Sequence, residues 1–186
     1  MAILKRTTLA WACALCLWAG AREAGGQNAR EYDLKATFLF NFAQFVTWPS
    51  NAFTAPDAPF TIGVLGEDPF DAALDDLVRH ESVGGHPLVV RRYRSVKDIE
   101  DCQILFISKS EKAKAAQVLS ALKGRRILTV GESEDIAANG GIIQFFTERN
   151  KVRLRINTAA AKAEKLTISS KLLRLAELVS EPPNGK

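Results

Sequence analysis

Histidine and cysteine are nearly absent from these 186 residues: the chain has 2 of the first and 3 of the second. His80 and His86 cannot complete a tetrahedral zinc site, and no metal-ligand spacing is present, so carboxylates would have to do most of the ligation. No metal and no cofactor is expected. Cys13 and Cys16 lie close to the N-terminus, which leaves Cys102 by itself in the remainder. An internal disulfide is therefore excluded there. Cys102 opens an apolar run, where a thiol packs as a small hydrophobe. The alternative is a bridge between two chains.

Long apolar runs are missing as well. Residues 7–19 are nearly uncharged, but a membrane span needs roughly 20 such residues. Lys5 and Arg6 precede this run and Ala19-Gly20-Ala21 follows it. That is the pattern of a secretory signal, with cleavage expected after Ala21; an uncleaved anchor is the alternative. Cys16 follows Leu15, Ala14 and Cys13, which fits a lipoprotein cut poorly. Charge of one sign is also lacking. Lys and Arg number 25 and Asp and Glu 21. Without Lys5 and Arg6 about 23 basic residues remain, for a net charge of about +2. No dense basic block tracks a phosphate backbone, so nucleic acid is not an expected partner. There are no repeats and no low-complexity segments.

Catalytic signatures are missing too. Gly63 and Gly66 are not followed by a third glycine, and Asp68 would repel a phosphate, so a dinucleotide fingerprint is unsupported. Gly131-Glu132-Ser133-Glu134-Asp135 follows a strand, yet it lacks the second glycine of a nucleophile elbow. Acids beside Ser133 disfavour an oxyanion, and a helix cap near Ile136 is the better reading. Asp71, Asp75 and Asp76 read as the solvated face of a helix near its positive end. No catalytic residue is assigned, and the chain is not expected to be an enzyme.

What is present is an alternation of elements. Residues 32–48 read as a helix on a wheel of 100° per residue. Asp33, Thr37, Asn41 and Gln44 share one arc; Leu34, Phe38, Leu39, Phe42, Phe45 and Val46 spread over the other. Phe40 falls inside the polar arc. Pro49 stops the helix. Apolar strands follow at residues 60–65, 88–90, 104–107 and 127–130. Asp68 and Pro69 open one intervening helix. Ser108 and Glu111 open another, which ends at Gly124. Residues 142–146 and 152–156 then form a hairpin through Glu148-Arg149-Asn150-Lys151. Asn157 caps a helix through Lys165, and Ser169 or Ser170 caps a last one through Val179. The expected fold is α/β: a mainly parallel β-sheet flanked by helices on both faces, with a late antiparallel β-hairpin. The expected layout is a signal at residues 1–21, a flexible start at 22–30, one domain at 31–180 and a tail at 181–186.

Two surface features remain. Arg153 and Arg155 alternate with Val152, Leu154 and Ile156, so one strand face is basic. Such a stripe can hold a carboxylate or phosphate; a solvated strand guarded by charge is the alternative. Phe40, outside the core stripe, marks either an interface or a second packed layer.

The sequence Lys35-Ala36-Thr37-Phe38-Leu39-Phe40-Asn41-Phe42-Ala43-Gln44-Phe45-Val46-Thr47-Trp48-Pro49 resembles the opening of the YfiR family. Downstream blocks resemble that family in the same order. They are Phe60-Thr61-Ile62-Gly63-Val64-Leu65-Gly66 with Asp68-Pro69-Phe70, Cys102-Gln103-Ile104-Leu105-Phe106-Ile107-Ser108, and Gly140-Gly141-Ile142-Ile143-Gln144-Phe145. Val152-Arg153-Leu154-Arg155-Ile156-Asn157 and Leu166-Thr167-Ile168-Ser169-Ser170-Lys171-Leu172-Leu173-Arg174-Leu175-Ala176 complete the series. The resemblance spans residues 31–178. It implies a periplasmic repressor that contacts the periplasmic domain of an inner-membrane diguanylate cyclase, or of a sensor kinase, and so acts on cyclic di-GMP and biofilm formation. It also implies an outer-membrane-associated sequestering protein, a homodimer, and aromatic or phosphate-bearing small ligands near Arg153 and Arg155. The family's disulfides have no counterpart here, since Cys102 lacks an internal partner. The partner surface is expected to include Phe40, Leu172 and Leu173.

Overall fold

The computed structural model describes residues 21–134 and 136–179, with side chains from residue 26. The expected signal lies outside the described residues apart from Ala21, and so does the tail. Helix α1 (Ala21–Phe45) begins eleven residues before the expected start, so the stretch read as flexible is helical. Ala21, Arg22, Glu23 and Ala24 are strong helix formers, while Gly25 and Gly26 cost about 1 kcal/mol each. The buried stripe of α1 is Lys35, Ala36, Leu39, Phe42 and Ala43, at helical spacing. The helix stops at Phe45 because β-branched Val46 and Thr47 turn extended. They form β1 (Val46–Thr47), which pairs antiparallel with β9 (Thr167–Ile168).

The main sheet is built from β2 (Phe60–Leu65), β3 (Ser82–Val83), β4 (His86–Tyr93), β5 (Ile104–Ile107), β6 (Leu128–Gly131), β7 (Ile143–Glu148), β8 (Lys151–Ile156) and β10 (Ala176–Leu178). Its spatial order is β10-β8-β7-β6-β5-β2-β4-β3. Strands β7, β6, β5, β2 and β4 are mutually parallel. The hairpin β7–β8 is antiparallel, β10 runs parallel to β8, and β3 caps β4 antiparallel. The sheet is thus mostly parallel, with the late hairpin expected from the sequence.

Strands β2, β5 and β6 are buried along their whole length, as parallel strands covered on both faces must be. On one face α1 and α2 (Ala73–Val78) pack Leu39, Phe42, Leu74 and Val78 against Phe60, Ile62, Phe106, Phe145 and Leu154. On the other, α3 (Ala115–Leu122) packs Val118, Leu119 and Leu122 with Leu65, Leu105, Ile107 and Ile136. Gly63 is required between these layers. A Cβ there would lie 2.7 Å from the Tyr93 ring and 2.9 Å from the Cys102 sulfur, so even alanine would force them apart. In the hairpin turn, Arg149 and Asn150 both have positive φ, 50° and 59°. A two-residue turn that matches the strand twist needs that geometry.

The closing segment departs from the expected helix over 169–179. Ser169 does cap a helix, its hydroxyl accepting from the Leu172 N–H, but α5 (Ser170–Leu173) is one turn long. The chain then extends as β10, and the Val179 N–H donates to the Ile156 carbonyl at 2.9 Å. Pairing with β8 gives backbone hydrogen bonds that another two turns of exposed helix would not improve. Asn157 caps α4 (Thr158–Ala163) as expected, though that helix ends before Lys165, which adopts φ 61°.

Candidate functional site

In parallel α/β sheets, ligands usually sit beyond the carboxyl ends of the strands. Here α1 crosses that end and fills it with paired charge. Lys35 projects from the buried stripe of α1, with its side chain 3% exposed, and its Nζ lies 2.5 Å from Glu132 Oε2. Glu132 follows β6 and its side chain is 2% exposed. The Tyr32 hydroxyl donates to Glu132 Oε1 at 3.0 Å, Glu31 approaches Lys35 at 2.6 Å, and Lys109 reaches Glu132 at 3.5 Å. Burial pushes the Tyr32 phenol well above its ordinary range, and the Glu132 carboxylate pushes it further. Burial raises the Glu31 carboxyl, but Lys35 and Lys109 outweigh this and hold it below its ordinary value.

A second clamp closes the same end nearer β4. Arg92 donates from Nε to Asp68 at 2.8 Å and from Nη1 to Asp75 at 2.8 Å. Its Nη2 bonds Asp75 and reaches the Asp71 carbonyl. The hydrogen bonds from Arg92 hold the Asp75 carboxyl below its usual range and raise the guanidinium in turn. These charges tie the loops after β2 and β6 to α1 and β4.

The flank formed by β7, β8 and β10 differs. Leu154 and Ile156 enter the core beneath α1, so strand alternation turns Lys151, Arg153 and Arg155 to the opposite face. Register places Phe146 opposite Arg153 and Glu177 beside Arg155. The Arg155 guanidinium stacks 4.5 Å above the Phe146 ring and pairs with Glu177 at 3.0 Å. Arg153 and Lys151 are exposed, and neither has an ion-pair partner among the described residues. This surface can bind an anionic or aromatic group by charge and stacking.

The structure brings Arg153 and Arg155 together as expected. It does not bring them to Phe40, Leu172 and Leu173, which lie with the core on the α1 side. Leu172 is 3% exposed and belongs to the core, because the short α5 turns it inward; it offers no surface. Phe40 and Leu173 are half-buried against that core. Ser133 does not cap a helix: its carbonyl accepts from Ile136, and its buried hydroxyl has no partner among the described residues. It follows β6 at the carboxyl end, whereas His86 opens β4 at the amino end and bonds the Ala58 carbonyl. No serine–histidine relay forms. Among the described residues no cluster of three or more His, Cys, Asp or Glu could hold a metal, and no helix is long and apolar enough to cross a membrane.

Sequence reasoning missed Lys35, Glu132 and Glu177. Lys35 had a signal: it shares the i, i+4, i+7 stripe with Leu39 and Phe42, and a charge on a buried stripe demands a partner. Glu177 had none, since its segment looked helical.

The family model described as YfiR/HmsC-like matches residues 32–177. No curated protein matches the chain significantly. Two solved structures are similar in outline. One is the ABC domain in complex with L-Trp from Streptococcus pneumonia, with 12% identity, TM-score 0.49, and 76% of this chain against 60% of that one. The other is a conserved domain protein from Vibrio cholerae O1 biovar El Tor, with 14% identity, TM-score 0.48, and 64% of this chain against 54% of that one. The chain therefore spans less than two thirds of either.

Proposed function

The chain belongs to the YfiR/HmsC-like family, and from that premise we propose that it is a periplasmic regulator of a membrane-bound signalling enzyme. The match over residues 32–177 carries this reading. In the finer form, the chain binds the periplasmic domain of an inner-membrane diguanylate cyclase and represses it. It acts by binding one of the sensor's two states more tightly, since only differential affinity moves such an equilibrium. Export through a cleaved signal, a homodimer and an outer-membrane-associated sequestering protein belong to the same proposal. Deleting the gene should raise cyclic di-GMP and biofilm, and restoring it should reverse both. Unchanged cyclic di-GMP, with no membrane sensor recovered by periplasmic crosslinking, would reject this reading.

The stacked pair Arg155–Phe146 favours a second reading, a ligand-binding module serving a histidine kinase or other receptor. Arg153 and Arg155 would hold a small anion over the Phe146 ring. Thermal shift against aromatic carboxylates and phosphate esters tests it, and no shift at millimolar ligand would reject it.

A further inference from the structure

The amino end of the sheet, opposite the charge clusters, carries a cavity of about 310 Å³ between α3 and α4. That is the small end of the range for ligand sites. Its floor is Leu119 and Leu122 of α3, Ile127 before β6 and Ile142 before β7, all buried. Ala160 and Ala163 of α4 form the facing wall, and their short side chains leave the gap open. Strand alternation sends Leu128 and Val130 into the α1 layer and Thr129 into this one. Thr129 is 5% exposed. Its Oγ1 accepts the Ile142 N–H at 3.0 Å, and its own proton meets no acceptor among the described residues. A hydroxyl donates once as well as accepting, so this buried one has a donor to spare.

Charge at the mouth is balanced, because Lys123 and Glu164 stand there together. Both Glu164 oxygens are taken, by the Gly124 and Arg126 N–H groups at 2.8 Å each. An ion of either sign would meet one like charge at the mouth and an apolar floor that cannot solvate it. We propose that this cavity binds a small uncharged molecule with an apolar body and one acceptor oxygen, such as an aryl ketone. The body packs on Leu119, Leu122 and Ile127, and the oxygen accepts the Thr129 proton. The site is separate from the Arg153–Arg155 surface, which favours anions, and it does not depend on the regulatory reading.

The test titrates acetophenone into the purified chain and follows amide chemical shifts. Ethylbenzene serves as the ligand without the oxygen, and benzoate and benzylamine as the charged ones. Acetophenone should give saturable shifts around Thr129 and Leu122 and bind about fivefold tighter than ethylbenzene. Benzoate and benzylamine should leave those amides unmoved. Ala163→Leu, on the exposed part of the wall, should fill the gap and abolish binding with an unaltered melting profile. Thr129→Val should make the two neutral ligands bind equally. That change also strips the Ile142 N–H of its partner, so the ligand pair and Ala163→Leu decide the matter if the variant does not fold. The proposal is overturned by the absence of saturable shifts with acetophenone at about 10 mM, where a ligand of this size should bind. Equal binding of ethylbenzene or benzoate to the unaltered chain, shifts confined to the Phe146 surface, or full binding by Ala163→Leu would overturn it as well.

Discussion

The carboxyl end of the parallel strands and the β8–β10 flank use the same residue types for opposite ends. At the first, Lys35 and Arg92 each meet two carboxylates, and Glu132 meets two lysines and a phenol. At the second, Arg153 and Lys151 meet none among the described residues, and Arg155 meets one. Paired charges hold α1 and the loops after β2 and β6 in place. Charges left over are available to something outside the chain. The usual ligand end of an α/β sheet thus carries a network of paired charge, and the unpaired basic side chains stand on the flank.

The contrast can be broken most severely at Lys35. Lys35→Ala leaves the buried Glu132 with the Tyr32 hydroxyl and, as its one remaining ion-pair partner among the described residues, the exposed Lys109, and should cost about 3–5 kcal/mol in urea unfolding. The paired replacement Lys35→Met with Glu132→Gln should recover most of that loss, because no charge is then left uncompensated. A cost below about 1 kcal/mol for the single change would mean that water reaches this cluster. Arg92→Ala should cost less, about 1 kcal/mol, because both partners are partly exposed and screened. That difference has a pH signature. The Asp75 carboxyl is depressed in the folded chain, so its contribution is complete above its unfolded value near 4. It disappears as pH falls through the folded value. Melting curves of the two chains should therefore converge below about pH 4. The smallest effect on stability belongs to Arg153→Ala, within about 0.5 kcal/mol. If the flank is for recognition, this is also the variant that most weakens repression of cyclic di-GMP synthesis. An Arg153→Ala chain as unstable as Arg92→Ala would erase the distinction.

The central fold was legible because parallel strands buried on both faces read as unbroken apolar runs, and Ser108, Asn157 and Ser169 announce helix starts through their own side chains. The hairpin was legible from strict alternation in Val152-Arg153-Leu154-Arg155-Ile156. The end of the chain was not. Leu172 to Leu178 has helical spacing, and only the open edge of β8 favours an extended β10. Phe40 could not be placed by its wheel position either, because a single helix does not show how far a sheet wraps around it. The charge clusters depend on residues as much as 100 positions apart, as Tyr32 and Glu132 are, and one sequence contains no pairing signal over that distance.

Cys102 is sealed beneath Tyr93 and Leu105 against Gly63, and burial pushes its thiol up to about 12. The thiolate is the attacking nucleophile, and burial both disfavours it here and keeps reagents away from the sulfur. Between residue 22 and the C-terminus no other cysteine exists. In a chain that starts at residue 22, a cysteine introduced at Leu178 or Arg153 would then be the one accessible thiol, and labels or photo-crosslinkers could be walked along the outer strand without first deleting a native residue.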